Sequence, residues 1–156
     1  MKWLKAIIFI IFTIFLFGCS STRCLDTGQV AQMQINALTK KLAFYDVKML
    51  CSDNSVSLVL PNKIFFNSGS ANFTDDAYEA LNLISDLANY YDKSVVAVTG
   101  SAGLDITAWG KAIAAERAHK VVSYLWRQGI DASFMYANAA VLQCADCVII
   151  NWQKKV

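Results

Sequence analysis

Apolar residues recur at helical spacing in three segments of the chain. The segment Gln29 to Lys41 is polar with spaced apolar residues and predicts a helix. A second helix is predicted to begin at Thr74, whose hydroxyl can cap it, with two aspartates at the positive end of its dipole. A third is predicted from Thr107 to Gln128, with Gly129 as its C-cap. The last two helices carry core-spaced apolar stripes, which are Ala77, Leu81, Ile84 and Leu87/Ala88, and then Ala114, Ala118, Val121 and Leu125.

The remaining apolar segments are short and typical of β-strands. Ala43 to Cys51 and Ser55 to Leu60 flank a Ser-Asp-Asn turn and predict a hairpin, which Pro61 ends because proline cannot donate to a ladder. Three further strands and a loop complete the prediction: strands Ser94 to Val98, Ala132 to Val141 and Cys147 to Trp152, and a polar loop Thr99 to Asp105. The order hairpin, helix, strand, helix, strand, strand predicts an α/β (α+β) sandwich, with helices packed on one face of a mixed sheet.

The first eighteen residues, MKWLKAIIFIIFTIFLFG, predict a signal peptide. Two lysines precede an apolar stretch from Ala6 to Phe17, which is shorter than the ~20 residues of a transmembrane helix. The end of this segment together with the residue that follows it, Leu16-Phe17-Gly18-Cys19, resembles the bacterial lipobox, although Phe17 is bulkier than the small residue usual there. The resemblance implies that the Cys19 sulfur and the new amino group are acylated, for example with palmitate, after cleavage before Cys19. An uncleaved membrane anchor is the alternative.

Ser20 and Ser21 follow the predicted lipidation site. In lipoproteins of two-membrane bacteria an aspartate at this place retains the protein at the inner membrane, so serine implies the outer membrane, with the domain facing the periplasm. The chain is then expected to divide into a signal peptide (1–18), a lipidated tether with a short helix (19–42) and a domain (43–156).

Charge and motifs argue against several classes of function. The leader holds two of the 14 basic residues and none of the 12 acidic ones, so the mature chain carries 12 charges of each sign. This balance gives no basic footprint for nucleic acid. We find no nucleophile–base arrangement, phosphate loop or paired carboxylates above chance, and Cys24, Cys51 and His119 lack the spacing of metal ligands. The sequence therefore predicts a non-enzyme without cofactor or metal.

Four cysteines remain once Cys19 is assigned to lipid, namely Cys24, Cys51, Cys144 and Cys147. An even number in an oxidising compartment favours disulfides, for which three pairings are possible. Cys144 and Cys147 form a CxxC that leads into a β-segment, whereas redox CxxC pairs typically open a helix. A structural disulfide between these two is therefore favoured, and the pairing of Cys24 and Cys51 is left open.

Three stretches, in chain order, resemble the OmpA C-terminal-like domain, the module shared by OmpA, the lipoprotein Pal and flagellar MotB. They are LPNKIFFNSGSANFTDDAYEAL (Leu60–Leu81), VVAVTGSAG (Val95–Gly103) and AAERAHKVVSYLWRQGI (Ala114–Ile130). The resemblance extends from about Val47 to Trp152. It implies the fold of that family and non-covalent binding of peptidoglycan through the diaminopimelate of the stem peptide.

The resemblance also implies candidate site residues. In that family an arginine takes the ligand's carboxylate and an aspartate takes its ammonium. Arg117 stands in the place of the arginine, but the place of the aspartate falls on Gly103 or Ala102, and Ser101 replaces a histidine. Asp105 could compensate only if the loop is re-threaded. The candidate peptidoglycan-binding set is therefore Arg117, Asp105, Ser101 and Gly103. A helix-surface arginine whose stem covers apolar area is the alternative for Arg117.

These observations predict an outer-membrane lipoprotein that is a structural subunit of a secretion- or conjugation-type envelope complex, with weak or lost peptidoglycan binding. A functional Pal-like tether between outer membrane and cell wall is the alternative. A periplasmic thiol–disulfide protein is a third, which the β-context of the CxxC disfavours. The expected partners are the outer membrane, through the lipid, and envelope-complex proteins, with peptidoglycan as a further candidate and no nucleic acid.

Overall fold

The computed structural model describes residues 29–102, 107–130 and 134–154. Within these ranges helices and strands are interleaved along the chain, as the sequence pattern predicts. The helices are α1 (Gln29–Ala43), α2 (Asn62–Phe65), α3 (Asp75–Ala88) and α4 (Ala108–Arg127). The strands are β1 (Lys48–Cys51), β2 (Ser55–Pro61), β3 (Lys93–Ser101), β4 (Phe134–Ala140) and β5 (Cys147–Lys154).

The five strands form one mixed sheet in the order β1-β2-β5-β3-β4. β3 and β4 are parallel, and the other neighbours are antiparallel. A parallel pair needs a long crossover, which α4 supplies between β3 and β4. The last strand, β5, lies at the centre of the sheet, where Ile150 pairs with Leu58 of β2 on one side and with Val98 of β3 on the other. The predicted mixed α/β fold is confirmed.

The core lies between one face of this sheet and the helices. Alternate residues of the three central strands are almost completely buried; they are Val56, Leu58, Leu60, Val96, Val98, Val148, Ile150 and Trp152. The apolar stripes predicted for α3 and α4 pack against them. Ile35 and Leu42 of α1 are 2% and 1% exposed and belong to the same cluster. Because these two side chains are buried with the sheet, α1 is packed as part of the folded domain.

The helix ends agree with the capping signals in the sequence. The Thr74 hydroxyl accepts the Ala77 N–H at 3.2 Å, and the Thr107 hydroxyl accepts the Gly110 N–H at 3.1 Å. Gly129 adopts a positive φ of 76°, the left-handed conformation that ends α4. Helices α3 and α4 therefore each begin after a threonine that satisfies an otherwise unpaired backbone donor.

Three local predictions differ from the structure. The first strand begins at Lys48 rather than Ala43, because α1 continues to Ala43 and the chain then turns, with a positive φ of 55° at Asp46. The start of the predicted loop 99–105 is strand, because β3 continues to Ser101 and pairs with both neighbours beyond Val98. The short helix α2 was not predicted, since four residues carry no periodic signal.

The leader, Cys19 and Cys24 lie outside the described residues. Across the part of the chain that the structure describes, none of the helices is both long and apolar enough to cross a lipid bilayer.

A buried pair of aromatic rings yields a stability prediction. The rings of Tyr91 and Trp152 lie 5.5 Å apart, and the buried Tyr91 hydroxyl has no hydrogen-bond partner among the described residues. Because an unsatisfied buried hydroxyl costs free energy, we expect Tyr91→Phe to keep or raise the free energy of unfolding, by up to about 1 kcal/mol.

Burial raises the pKa of Tyr91 from 10.0 to about 12. The unfolded chain ionises first, so the ionisation of Tyr91 leaves stability unchanged well below pH 10 and lowers it as the pH rises towards about 12. Denaturant unfolding of both proteins across this interval should show an alkaline loss of stability in the wild type that is smaller in Tyr91→Phe. A variant that is clearly less stable at neutral pH would contradict an unpartnered hydroxyl.

Candidate functional site

A close approach between β3 and α4 positions the candidate arginine. Gly100 of β3 faces the backbone of Ala114, and a Cβ at Gly100 would overlap the Ala114 carbonyl. Only glycine fits here without moving the helix. Arg117 lies three residues after Ala114, almost one turn further along the same helix, so this contact fixes how far the Arg117 side chain stands from the end of the sheet.

Arg117 is largely buried, with 11% of its side chain exposed. Its Nε donates to the Ser70 carbonyl at 2.9 Å, and its guanidinium carbon lies 5.2 Å from the centre of the Phe66 ring. One terminal nitrogen lies 3.7 Å from an oxygen of Asp146. Burial lowers the pKa of Arg117 and the neighbouring carboxylate opposes this, so the group keeps its charge at neutral pH. The guanidinium thus rests on an aromatic face and points towards an anion.

Asp146 is the acidic group that the structure brings to Arg117. It lies in the loop between β4 and β5, inside the CxxC. One carboxylate oxygen accepts the side-chain amide of Asn62 at 2.7 Å, and its backbone carbonyl accepts the Asn62 N–H at 3.1 Å. Asn62 is only 2% exposed, whereas the Asp146 side chain is 68% exposed. The carboxylate is therefore held at one oxygen by a buried amide and remains accessible to a ligand.

Arg117 and Asp146 border a hollow of about 400 Å³. Its lining combines the aromatic rings, the charged pair and the turn after α2: Asn62, Lys63, Phe66, Ser68, Gly69, Trp109, Ile113, Arg117 and Asp146. Trp109, at the start of α4, is 63% exposed. Two opposite charges 3.7 Å apart at the edge of a partly apolar hollow suit a zwitterionic group, with its carboxylate on Arg117 and its ammonium on Asp146.

The other predicted site residues have different outcomes. Ser101 is buried, and its hydroxyl donates to the Cys144 carbonyl at 2.6 Å, so this bond supports the β4–β5 loop. Ser101 is not among the residues that line the hollow. Gly103 and Asp105 lie outside the described residues. Sequence reasoning missed Asp146, because its approach to Arg117 depends on where the β4–β5 loop packs.

The structure joins Cys144 and Cys147 by a disulfide, with their Cα atoms 5.9 Å apart. This distance is typical of disulfides. Cys147 is the first residue of β5 and pairs with Pro61 of β2. The disulfide therefore closes a four-residue loop directly beside Asn62 and contains Asp146 within it. Cys51 is also disulfide-bonded.

Residues 65–143 match the OmpA family, which is just over half of the chain. The chain therefore belongs to the OmpA family, as its three sequence stretches indicate. No curated protein matches the sequence significantly.

Solved structures share the fold at low sequence identity. The periplasmic domain of Helicobacter pylori MotB (its residues 90–256) aligns with a TM-score of 0.59 at 18% identity, over 70% of this chain and 80% of that one. The cell wall anchor of the T6SS from Pseudomonas aeruginosa aligns with a TM-score of 0.62 at 15% identity, over 78% and 97%. An outer membrane protein from Borrelia burgdorferi aligns at 0.56 and 13%, over 70% and 97%. At these identities the likeness shows the fold.

The disulfide makes a direct prediction about thiol chemistry. We expect Cys144 and Cys147 of the protein purified without reductant to resist alkylation until a reductant is added, because each sulfur is bonded to the other. Mass spectrometry of the peptide that spans both residues measures this. If both thiols react without reductant, the loop is open in the native protein, and a redox or metal role for the CxxC returns.

Proposed function

We propose that this protein is an outer-membrane lipoprotein whose OmpA-like domain is a structural subunit of a cell-envelope complex and binds peptidoglycan weakly. The observation that carries the wall contact is the pairing of Arg117 with Asp146 beside the hollow. In this proposal Arg117 takes a carboxylate of the stem peptide's diaminopimelate and Asp146 takes the ammonium. Asp146 thus binds the ammonium in place of the aspartate that the family has in its β3–α4 loop.

The weakness of the contact follows from the bonds that the site already contains. Arg117 donates its Nε to the Ser70 carbonyl and faces Asp146, so a ligand carboxylate must compete with a charge already present. Asp146 in turn accepts the Asn62 amide. A zwitterionic ligand breaks the Arg117–Asp146 ion pair and forms one new ion pair with each residue. The free energy of binding is the gain from the new pairs minus the loss of the internal pair, so it is smaller than the new pairs alone would give.

The role as a subunit is supported by exposed apolar surface away from the hollow. Monomeric proteins rarely expose large contiguous apolar patches, and aromatic residues are enriched at interfaces. Here Trp126, Phe134, Tyr136 and Val141 are between 49% and 70% exposed. The plan, a lipidated cysteine followed by an OmpA-like domain, resembles accessory lipoproteins of type IV secretion systems, of which DotK is an example.

A stronger, Pal-like tether is the second candidate, and one observation favours it. The family's aspartate position in the β3–α4 loop falls on Gly103 or Ala102, but Asp146 of the β4–β5 loop lies close to the arginine and is accessible. If the hollow accepts the stem peptide without strain, this relocated acid restores both halves of the recognition.

Co-sedimentation with purified sacculi tests these two strengths of binding. We expect a small, salt-sensitive fraction of the wild-type protein to sediment. Arg117→Ala should lower it by about tenfold or more, because it removes the partly buried cation. Arg127→Ala is the matched control, since it removes an exposed arginine from the same helix. Thermal unfolding of each variant verifies that the fold is intact.

Asp146→Asn separates two roles of the carboxylate, since an asparagine oxygen can still accept the Asn62 amide. If Asp146 takes the ammonium, the variant sediments less than the wild type. If Asp146 only competes with the ligand for Arg117, the variant sediments more.

Tight sedimentation that withstands salt and needs Arg117 would favour the tether. Sedimentation that is independent of Arg117 would contradict this site.

A further inference from the structure

The outward face of α1 carries an apolar stripe that the domain core does not cover. Val30 and Met33 are 69% and 67% exposed, and Phe44, directly after the helix, is 86% exposed. Ala37 lies between them and is also exposed. Their spacing of three, four and seven residues places them on one side of a helix with 3.6 residues per turn. The opposite side of α1 packs against the core through Ile35 and Leu42.

Basic residues flank this stripe. Lys40 and Lys41 lie in the last turn of α1, and their helical positions fall on either side of the line through Met33, Ala37 and Phe44. The segment Gln29–Ala43 contains no acidic residue. The acidic residue that follows in sequence, Asp46, is paired with Lys63 at 3.6 Å. An apolar stripe bordered by lysines is typical of helices that lie in the interface of a bilayer with anionic lipids.

The distance to the predicted lipid anchor agrees with this interpretation. Nine residues separate Cys19 from Gln29. Even when fully extended, such a segment spans at most about 35 Å, so an acylated Cys19 holds the start of α1 close to the membrane. α1 is the first element of the described domain, and it carries this apolar and basic face.

We propose that this face of α1, made of Val30, Met33, Ala37 and Phe44 with Lys40 and Lys41 beside them, docks on an anionic phospholipid surface. The apolar side chains enter the interfacial region and the lysines contact lipid phosphates. The short segment before α1 holds this face near the membrane through the lipid anchor of the proposed function, whereas the exposure and charge of the face do not depend on that anchor. Docking would hold the domain against the membrane in one orientation, in addition to the acyl chains.

Vesicle binding by the non-acylated mature protein tests this directly. The probe is residues 19–156 with Cys19→Ser, incubated with vesicles of phosphatidylethanolamine and phosphatidylglycerol, and separately with vesicles of phosphatidylcholine alone. We expect sedimentation with the anionic vesicles that weakens with added salt. Each of Lys40→Gln and Lys41→Gln should lower partitioning by about fivefold.

The double variant Met33→Asp/Phe44→Asp should lose most of the binding, by about tenfold or more, because it removes the inserted apolar groups. Leu50→Asp is the matched control, since Leu50 is 59% exposed on β1 and lies outside the face of α1; it should bind as the wild type does. Equal binding by the double variant and the wild type, or no binding to either vesicle, would overturn the proposal. A change in oligomeric state caused by the double variant without vesicles would identify the face as a protein interface and would also overturn it.

The anchor is measured separately, so that the two failures can be told apart. The intact mass of the protein extracted from membranes should show the loss of residues 1–18 and the addition of acyl chains. A retained leader would contradict lipidation at Cys19. It would leave the result of the vesicle experiment unchanged, because that protein carries no lipid.

Discussion

The position of β5 is the constraint on which the fold and the candidate site both depend. This strand comes last in the chain and lies between β2 and β3, so neither neighbour has its central partner until the C-terminal segment is in place. Its inward residues, including Ile150 and Trp152, fill the middle of the core. The pairing of Cys147 with Pro61 then fixes the loop before β5 beside Asn62. Asp146 reaches Arg117 as a consequence of this register.

The Arg117 environment explains how a domain of this family can have a charged site without an aspartate at the family's position in the β3–α4 loop. The guanidinium lies on the Phe66 ring and donates to Ser70, which orients it without neutralising it. Asp146 supplies the opposite charge from the β4–β5 loop. A partly buried cation that faced no anion would carry a desolvation cost without compensation. The same pairing that stabilises the empty site limits what a ligand gains there.

The sequence predicts the fold well and the site only in part. Helix limits followed from Thr74, Thr107 and Gly129, because capping residues act locally and their partners lie within a few positions. Arg117 was predicted because the segment that forms α4 has the same spacing between arginine and apolar residues as the corresponding segment of the family. Asp146 was not, since its partner is 29 residues away in sequence and the contact depends on how the β4–β5 loop packs against α4. Local patterns predict helices and strands, whereas a charge pair between a helix and a distant loop depends on the assembled sheet.

The central claim is that Arg117 and Asp146 together form the ligand site of this domain. The most direct measurement is an NMR titration of the mature protein with a soluble muropeptide that contains diaminopimelate, followed at the Arg117 Nε–H and the Asn62 side-chain amide. We expect both signals to shift progressively with ligand in fast exchange, as weak binding predicts, and the shift of the Asn62 signal to vanish in Arg117→Ala, which has no Arg117 signal. Shifts confined to other surfaces, or no shifts at saturating muropeptide, would contradict the claim.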